Sequence, residues 1–138
     1  MNRMTLVPRY DDLRTPLDEA LRVAGQLQLP IELEAIPFCV VPNHPAAVGE
    51  VRLLGAGRTL FRHVRRLMRD WERVRVESKR KGPRCNACFF DDACEGVWSE
   101  YEALYGSDEL RPVHGTEEDG ERLRRVLDQV APGWRHRP

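Results

Sequence analysis

Three of the chain's four cysteines fall within ten residues, "CNACFFDDAC", from Cys85 to Cys94. Their spacing is C-x2-C-x5-C, and the fourth, Cys39, stands far upstream. A thiolate is a soft, anionic ligand, and four of them satisfy either a zinc ion or an iron–sulfur cluster. A C-x2-C turn folds back on itself, so Cys85 and Cys88 can face one centre. Cys94 reaches the same centre if its five-residue connector curls. Structural zinc ribbons more often use two C-x2-C knuckles, and this chain has one. Three clustered cysteines and one remote cysteine suit a cluster. The plainer reading of a cysteine is a small buried hydrophobe. It fits Cys39 taken alone and fits the triplet poorly. Spacing leaves zinc and iron–sulfur balanced.

The surrounding charge favours ligation. Lys79, Arg80, Lys81 and Arg84 lead into Cys85. Cys94 is expected in the first turn of a helix, whose dipole favours thiolate. From Arg58 to Arg84 there are eleven basic residues and three acids, and from Asp91 to Glu121 eleven acids and one basic residue. A basic stretch beside cysteines can bind nucleic acid. Formal net charge is zero, however. The arginines are therefore read as a solvated face or as partners of the acidic segment. His44 follows Cys39 by five residues and is a minor candidate ligand, read as a solvated loop histidine. Gly55 and Gly57 in "GAG" are too few for a dinucleotide fingerprint and are read as a tight turn. No Ser/His/Asp arrangement stands out.

The elements that must position the cysteines are read from pattern. Residues 1–14 form an irregular lead-in. Thr15 is an N-cap with Pro16 at the first helical position, and Leu17, Ala20, Leu21, Ala24 and Leu27 recur at helical spacing up to Pro30. "IELEAI", Ile31 to Ile36, alternates apolar and acidic residues like a half-buried strand that delivers Cys39 just past its end. "VPNHPAAVGE" is a loop. From about Thr59 to Glu77 the residues Leu60, Phe61, Val64, Leu67, Met68, Trp71 and Val74 make one helical stripe, with Phe61, Met68 and Trp71 in the core. A helix after Cys94 stops at Gly106. Thr116 and Asp119 resemble a capping box, opening a last helix with Leu123, Val126, Leu127 and Val130 that ends at Pro132 and Gly133. Composition is globular, with 41% hydrophobic and 32% charged residues. No apolar run is long enough to span a bilayer, and no signal peptide is evident. The expected location is cytoplasmic, where thiols stay reduced.

"KGPRCNACFFDDACEGVWSEYEALYGSDELRPV" resembles the C-terminal segment of radical SAM enzymes that carry an auxiliary [4Fe–4S] cluster, of the SPASM or twitch type. There a C-x2-C-x5-C triplet precedes a glycine, an aromatic helix and a "YG…EL.P" ending. The matching positions are Gly96, Trp98, Tyr101, Tyr105, Gly106, Glu109, Leu110 and Pro112. "LPIELEAIPFCV" is similar to a late barrel strand running into an "IPFC" turn, whose cysteine, here Cys39, can supply a further cluster ligand. The resemblance spans roughly residues 5–113. Trp98 stands where the fuller SPASM pattern has another cysteine. The C-x3-C-x2-C motif of the SAM-cleaving cluster is absent, as are most barrel strands.

The resemblance implies one auxiliary [4Fe–4S] cluster on Cys39, Cys85, Cys88 and Cys94; Trp98, Tyr101 and Tyr105, on the helix after Cys94, are read as packing over it rather than stacking on a ligand. It implies no SAM cleavage and no catalysis by this chain alone. A radical SAM core protein would be the partner, or a second copy docked through the exposed edge of the 31–36 strand. Nucleic acid and membrane are not expected partners. The alternatives are a structural zinc domain serving protein interaction or nucleic-acid binding, and a truncated product without function of its own. The expected fold is mixed α/β and helix-rich, a single domain over 1–138. Residues 1–45 form a partial barrel-like helix–strand unit, 46–84 an amphipathic basic helix, 85–113 the cysteine segment flanked by helices, and 114–138 a C-terminal helix and tail.

Overall fold

The computed structural model describes residues 6–50, 60–63 and 66–130, with side chains left out at 60–63, 66–73, 76, 123 and 130. The turn at Gly55 and Gly57, the side chains of the apolar stripe other than Val74, those of Leu123 and Val130, and the stop at Pro132 and Gly133 lie outside what is described. The fold is mixed α/β and helix-rich. In chain order it holds α1 (Tyr10–Gln26), β1 (Leu60–His63), β2 (Arg66–Asp70), α2 (Trp71–Ser78), β3 (Lys79–Arg80), β4 (Val97–Trp98), α3 (Ser99–Tyr105) and α4 (Glu117–Val130). Short 3-10 turns lie at Phe38–Val40, Pro45–Ala47 and Cys85–Ala87. The strands form two antiparallel pairs, β1 with β2 and β3 with β4. Among the described residues no helix is long and apolar enough to cross a membrane.

α1 begins five residues before the expected cap at Thr15, and Pro16 lies inside it. The reason is a tertiary cap. The Tyr10 N–H donates to Glu109 Oε2 at 3.0 Å and to the Tyr101 hydroxyl at 2.8 Å. The Tyr101 hydroxyl in turn donates to the same Glu109 oxygen, and the Arg9 guanidinium holds the other. A helix N-terminus leaves its first N–H groups without intrahelical partners and attracts negative charge. Glu109 answers both needs from 99 positions away. That support offsets the N–H that Pro16 lacks.

The strand expected over Ile31–Ile36 is reduced to one parallel bridge, Leu33 to Val48. The Leu33 N–H donates to Ala47 O at 2.7 Å, and the Gly49 N–H donates to Leu33 O at 2.8 Å. Extension stops because Ala35 sits at φ +63°, in the left-handed region. Two contacts hold it there. Its N–H donates to Glu50 Oε1, and the Tyr10 hydroxyl donates to its carbonyl, both at 3.0 Å. The exposed edge proposed for dimer docking thus shrinks to a single bridged residue.

The helix expected from Thr59 to Glu77 is instead β1, β2 and the shorter α2. Leu60 pairs with Asp70 and Phe61 with Arg69, and the register shifts before His63 meets Arg66. The apolar spacing through this stretch is helical and breaks strict alternation, so the β1–β2 pairing overrides the local pattern. The expected stop of the helix after Cys94 and the expected opening of the last helix are both present. α3 ends with Gly106 at φ +71°. α4 opens on the capping box, where the Asp119 N–H donates to Thr116 Oγ1 and the Thr116 N–H to Asp119 Oδ2.

The core gathers around "PFCVV". Phe38, Val40 and Val41 are almost wholly buried, together with Val48, Val97 and Leu127. Leu21 of α1 and Leu127 of α4 belong to the same cluster. Phe38 stacks on Phe90 with ring centroids 4.8 Å apart, which ties the Cys39 turn to the cysteine segment. Burying such a ring stabilises by about 2–3 kcal/mol. A second link is ionic and buried: Arg75 reaches Glu95 at 2.6 Å, and Lys79 reaches Glu50 at 2.5 Å and Glu95 at 3.4 Å.

Burial alone would raise the Glu109 pKa, but bonds from Tyr101, Arg9 and the Tyr10 N–H outweigh it and hold it below 4.5. A depressed carboxyl contributes stability that is complete above 4.5 and is lost as pH falls through its folded value. Glu109→Gln should therefore lower stability by about 3 kcal/mol at pH 7. Urea melts at several pH values should show the deficit against wild type narrowing below pH 4.5.

Candidate metal centre

All four cysteines line one pocket. Its remaining walls include Phe38, Phe90, Lys81, Asp91, Leu110 and Arg111. Three local features bring the thiols there. The Cys85–Ala87 turn closes with the Cys88 N–H donating to Cys85 O at 2.9 Å, which folds the C-x2-C pair. The x5 connector then curls, with the Asp91 N–H on Cys88 O at 3.0 Å and the Cys94 N–H on Phe90 O at 2.8 Å. Cys39 arrives on the Phe38–Val40 turn and is 9% exposed. Arg14 of α1 fixes that turn by donating to Cys39 O and, at 2.6 Å, to Glu109 O.

Cys94 is not in the first turn of a helix. It lies in an irregular stretch before β4, and α3 starts only at Ser99. Its support comes from individual amides rather than a helix dipole. The Gly96 N–H donates to Cys94 Sγ at 3.4 Å, and the Val113 N–H donates to Cys88 Sγ at 3.4 Å. Burial pushes the Cys39 thiol up to about 12. The other three cysteines push the same way, and Arg14 opposes them. Burial also raises Cys85 and Cys94. Amides oppose the rise, at Gly82 for Cys85 and at Gly96 and Phe38 for Cys94. Without a positive ion beside them, Cys39, Cys85 and Cys94 favour the neutral thiol.

The donor set matches a thiolate-held group in type and number. Its spacing is not that of a one-ion site: among the described residues no three His, Cys, Asp or Glu side chains are set to hold a metal ion as they stand. A single zinc with tetrahedral 2.3 Å bonds would draw its sulfurs to roughly 3.8 Å from one another.

The other expected candidates lie elsewhere. His44 Nε2 is 3.2 Å from Asp18 Oδ1, and His44 does not line the four-cysteine pocket. Trp98, Tyr101 and Tyr105 do not line it either. Lys79 Nζ sits 5.1 Å from the Trp98 ring centroid, Tyr101 serves Glu109, and Tyr105 donates to Val7 O at 2.6 Å. The aromatic walls are Phe38 and Phe90. Pattern reading missed both, although each is close in sequence to a cysteine. Several basic residues of the 58–84 stretch are matched to acidic-segment partners: Arg75 to Glu95, Lys81 to Asp91, and Arg84 to the Asp108 carbonyl at 2.7 Å.

No family model, curated protein or solved structure matches this chain.

Gly96 is a fixed point of the site. It sits at φ +85°, and a Cβ there would lie 2.0 Å from Arg80 O across the β3–β4 pair. Gly106 has φ +71° but nothing within 4 Å of a Cβ. Gly106→Ala should cost about 1–3 kcal/mol, because φ +71° with ψ −162° is essentially a glycine conformation, and Gly96→Ala should cost more because it adds the clash with Arg80 O. Parallel thermal melts should rank the two in that order.

Proposed function

We propose that this chain holds one [4Fe–4S] cluster on Cys39, Cys85, Cys88 and Cys94 and works as a radical SAM-type auxiliary-cluster domain. In this reading residues 85–113 are the cluster segment, and Cys39 comes to it from the 38–40 turn. The observation that carries the proposal is the pocket that all four cysteines line, with the remote Cys39 among them. The absence of C-x3-C-x2-C leaves SAM cleavage to a partner, proposed as a radical SAM core protein. When bound, with all four irons held by cysteine, the cluster would supply one-electron transfer.

The chain's own residues have definable tasks. Cys39 closes the ligand set from the core side, anchored through Arg14. The Gly96 and Val113 amides stabilise charge on Cys94 and Cys88. Phe38 and Phe90 keep water from one side of the pocket. A structural zinc ion is the second reading. Its support is that the thiols join the 38–40 turn to the 85–94 loop, segments that share no strand pairing among the described residues.

Anaerobic purification followed by iron, sulfide and zinc analysis separates the two. The expected product is brown, with about four irons per chain. A colourless chain with one zinc overturns the cluster. Cys39→Ser should lower iron retention sharply, and unchanged iron would remove Cys39 from the ligand set.

A further inference from the structure

Lys81 and Asp91 face each other in the wall of the four-cysteine pocket. Lys81 Nζ donates to the Asp91 backbone carbonyl at 2.6 Å and to Asp91 Oδ1 at 2.8 Å. Asp91 lies within the Cys88–Cys94 connector, and Lys81 directly follows β3. The two side chains are 38% and 34% exposed. A pair so open to water adds little stability by itself. Its location beside four thiols gives it a second consequence.

Four thiolates around a divalent ion, or around a cluster core of the same charge, leave two surplus negative charges. Donors and cations nearby must offset them. The Gly96 and Val113 amides contribute partial charges. Lys81 contributes a whole positive charge, and Asp91 sets a negative one beside it. Arg111 also lines the pocket, but its guanidinium is tied to Asp11.

We propose that Lys81 and Asp91 are opposed positioning residues that set the net charge of the four-thiolate site, Lys81 strengthening metal retention and Asp91 weakening it. The proposal rests on metal ligation by these four cysteines, with either cluster or zinc. It differs from a purely structural clip in sign. A clip loses its ion pair in either variant, so both variants would weaken the site. Opposed charges move it in opposite directions. Lys81 keeps its bond to the Asp91 carbonyl when the side chain is neutralised, so the loop tie survives in Asp91→Asn.

The test titrates the reduced, metal-free full chain with Co2+ under anaerobic conditions, following the thiolate-to-cobalt absorption band. Lys81→Met should bind about tenfold more weakly and Asp91→Asn several-fold more tightly. Lys81→Arg should match wild type. The spread should shrink as salt rises. Urea melts of each variant separate lost folding from lost affinity. In iron-loaded chains, the one-electron potential should fall by about 59 mV in Lys81→Met, the equivalent of tenfold, and rise in Asp91→Asn. Shifts of the same sign in both variants, or none, overturn the proposal. A chain that takes Co2+ but never an iron–sulfur cluster overturns the cluster reading while the Co2+ series still decides this one. A wild-type chain that takes neither overturns both.

Discussion

The Glu109 carboxylate, buried at the start of α1, is the constraint on which the rest turns. A carboxylate in that position is costly unless every lone pair is used. Here Arg9, the Tyr10 amide and the Tyr101 hydroxyl all converge on it. The Tyr10 and Tyr101 rings stack at 4.0 Å beside it, excluding water from the bonds. The result joins the first helix to the 99–112 segment without any strand between them. Arg14, one turn further along α1, extends the junction to the carbonyls of Glu109 and Cys39. The pocket's most buried thiol is therefore placed by the same helix that Glu109 caps.

That placement creates a tension within the site. The Phe38–Val41 segment is packed as core, and core packing favours neutral groups. Cys39 belongs to that segment and yet lines a pocket with three other thiols. Packing it as a hydrophobe costs nothing while it is protonated. Making it a ligand requires charge in a place that resists charge, and only a positive centre reached by all four sulfurs can reverse the balance. The amides on Cys88 and Cys94 reduce the resistance without removing it.

What could be read from sequence follows the range of the interaction. The C-x2-C-x5-C turn, the Gly106 stop and the Thr116–Asp119 box depend on residues a few positions apart, and the structure contains each of them. The start of α1 was misread because Thr15-Pro16 is a good local signal and the real cap comes from Glu109. "IELEAI" was misread because Ala35 is held in a left-handed turn by Glu50 and Tyr10, neither of them its neighbour in sequence. The 59–77 segment differs for another reason, since its apolar spacing is helical and antiparallel pairing between 60–63 and 66–70 overrides it. Phe38 and Phe90 offered a usable signal: aromatic residues close to ligands on both cysteine segments. The gathering of Cys39 with the triplet was suggested by thiol count and by resemblance, and spacing alone could not have decided it.

The long reach of Glu109 also bears on the order of events as the chain is made. Synthesis runs from the N-terminus, so Tyr10 emerges 99 residues before its capping carboxylate exists. Until then α1 has an open first turn and a proline inside it. Cys39 likewise waits for Cys85, Cys88 and Cys94. Native contacts this distant slow folding, because the loop must close before they contribute. Residues 10–41 therefore cannot mature alone as they are synthesised, and the thiol pocket assembles only once the chain has been made as far as Pro112. Any metal would have to be delivered after the 85–113 segment has been made.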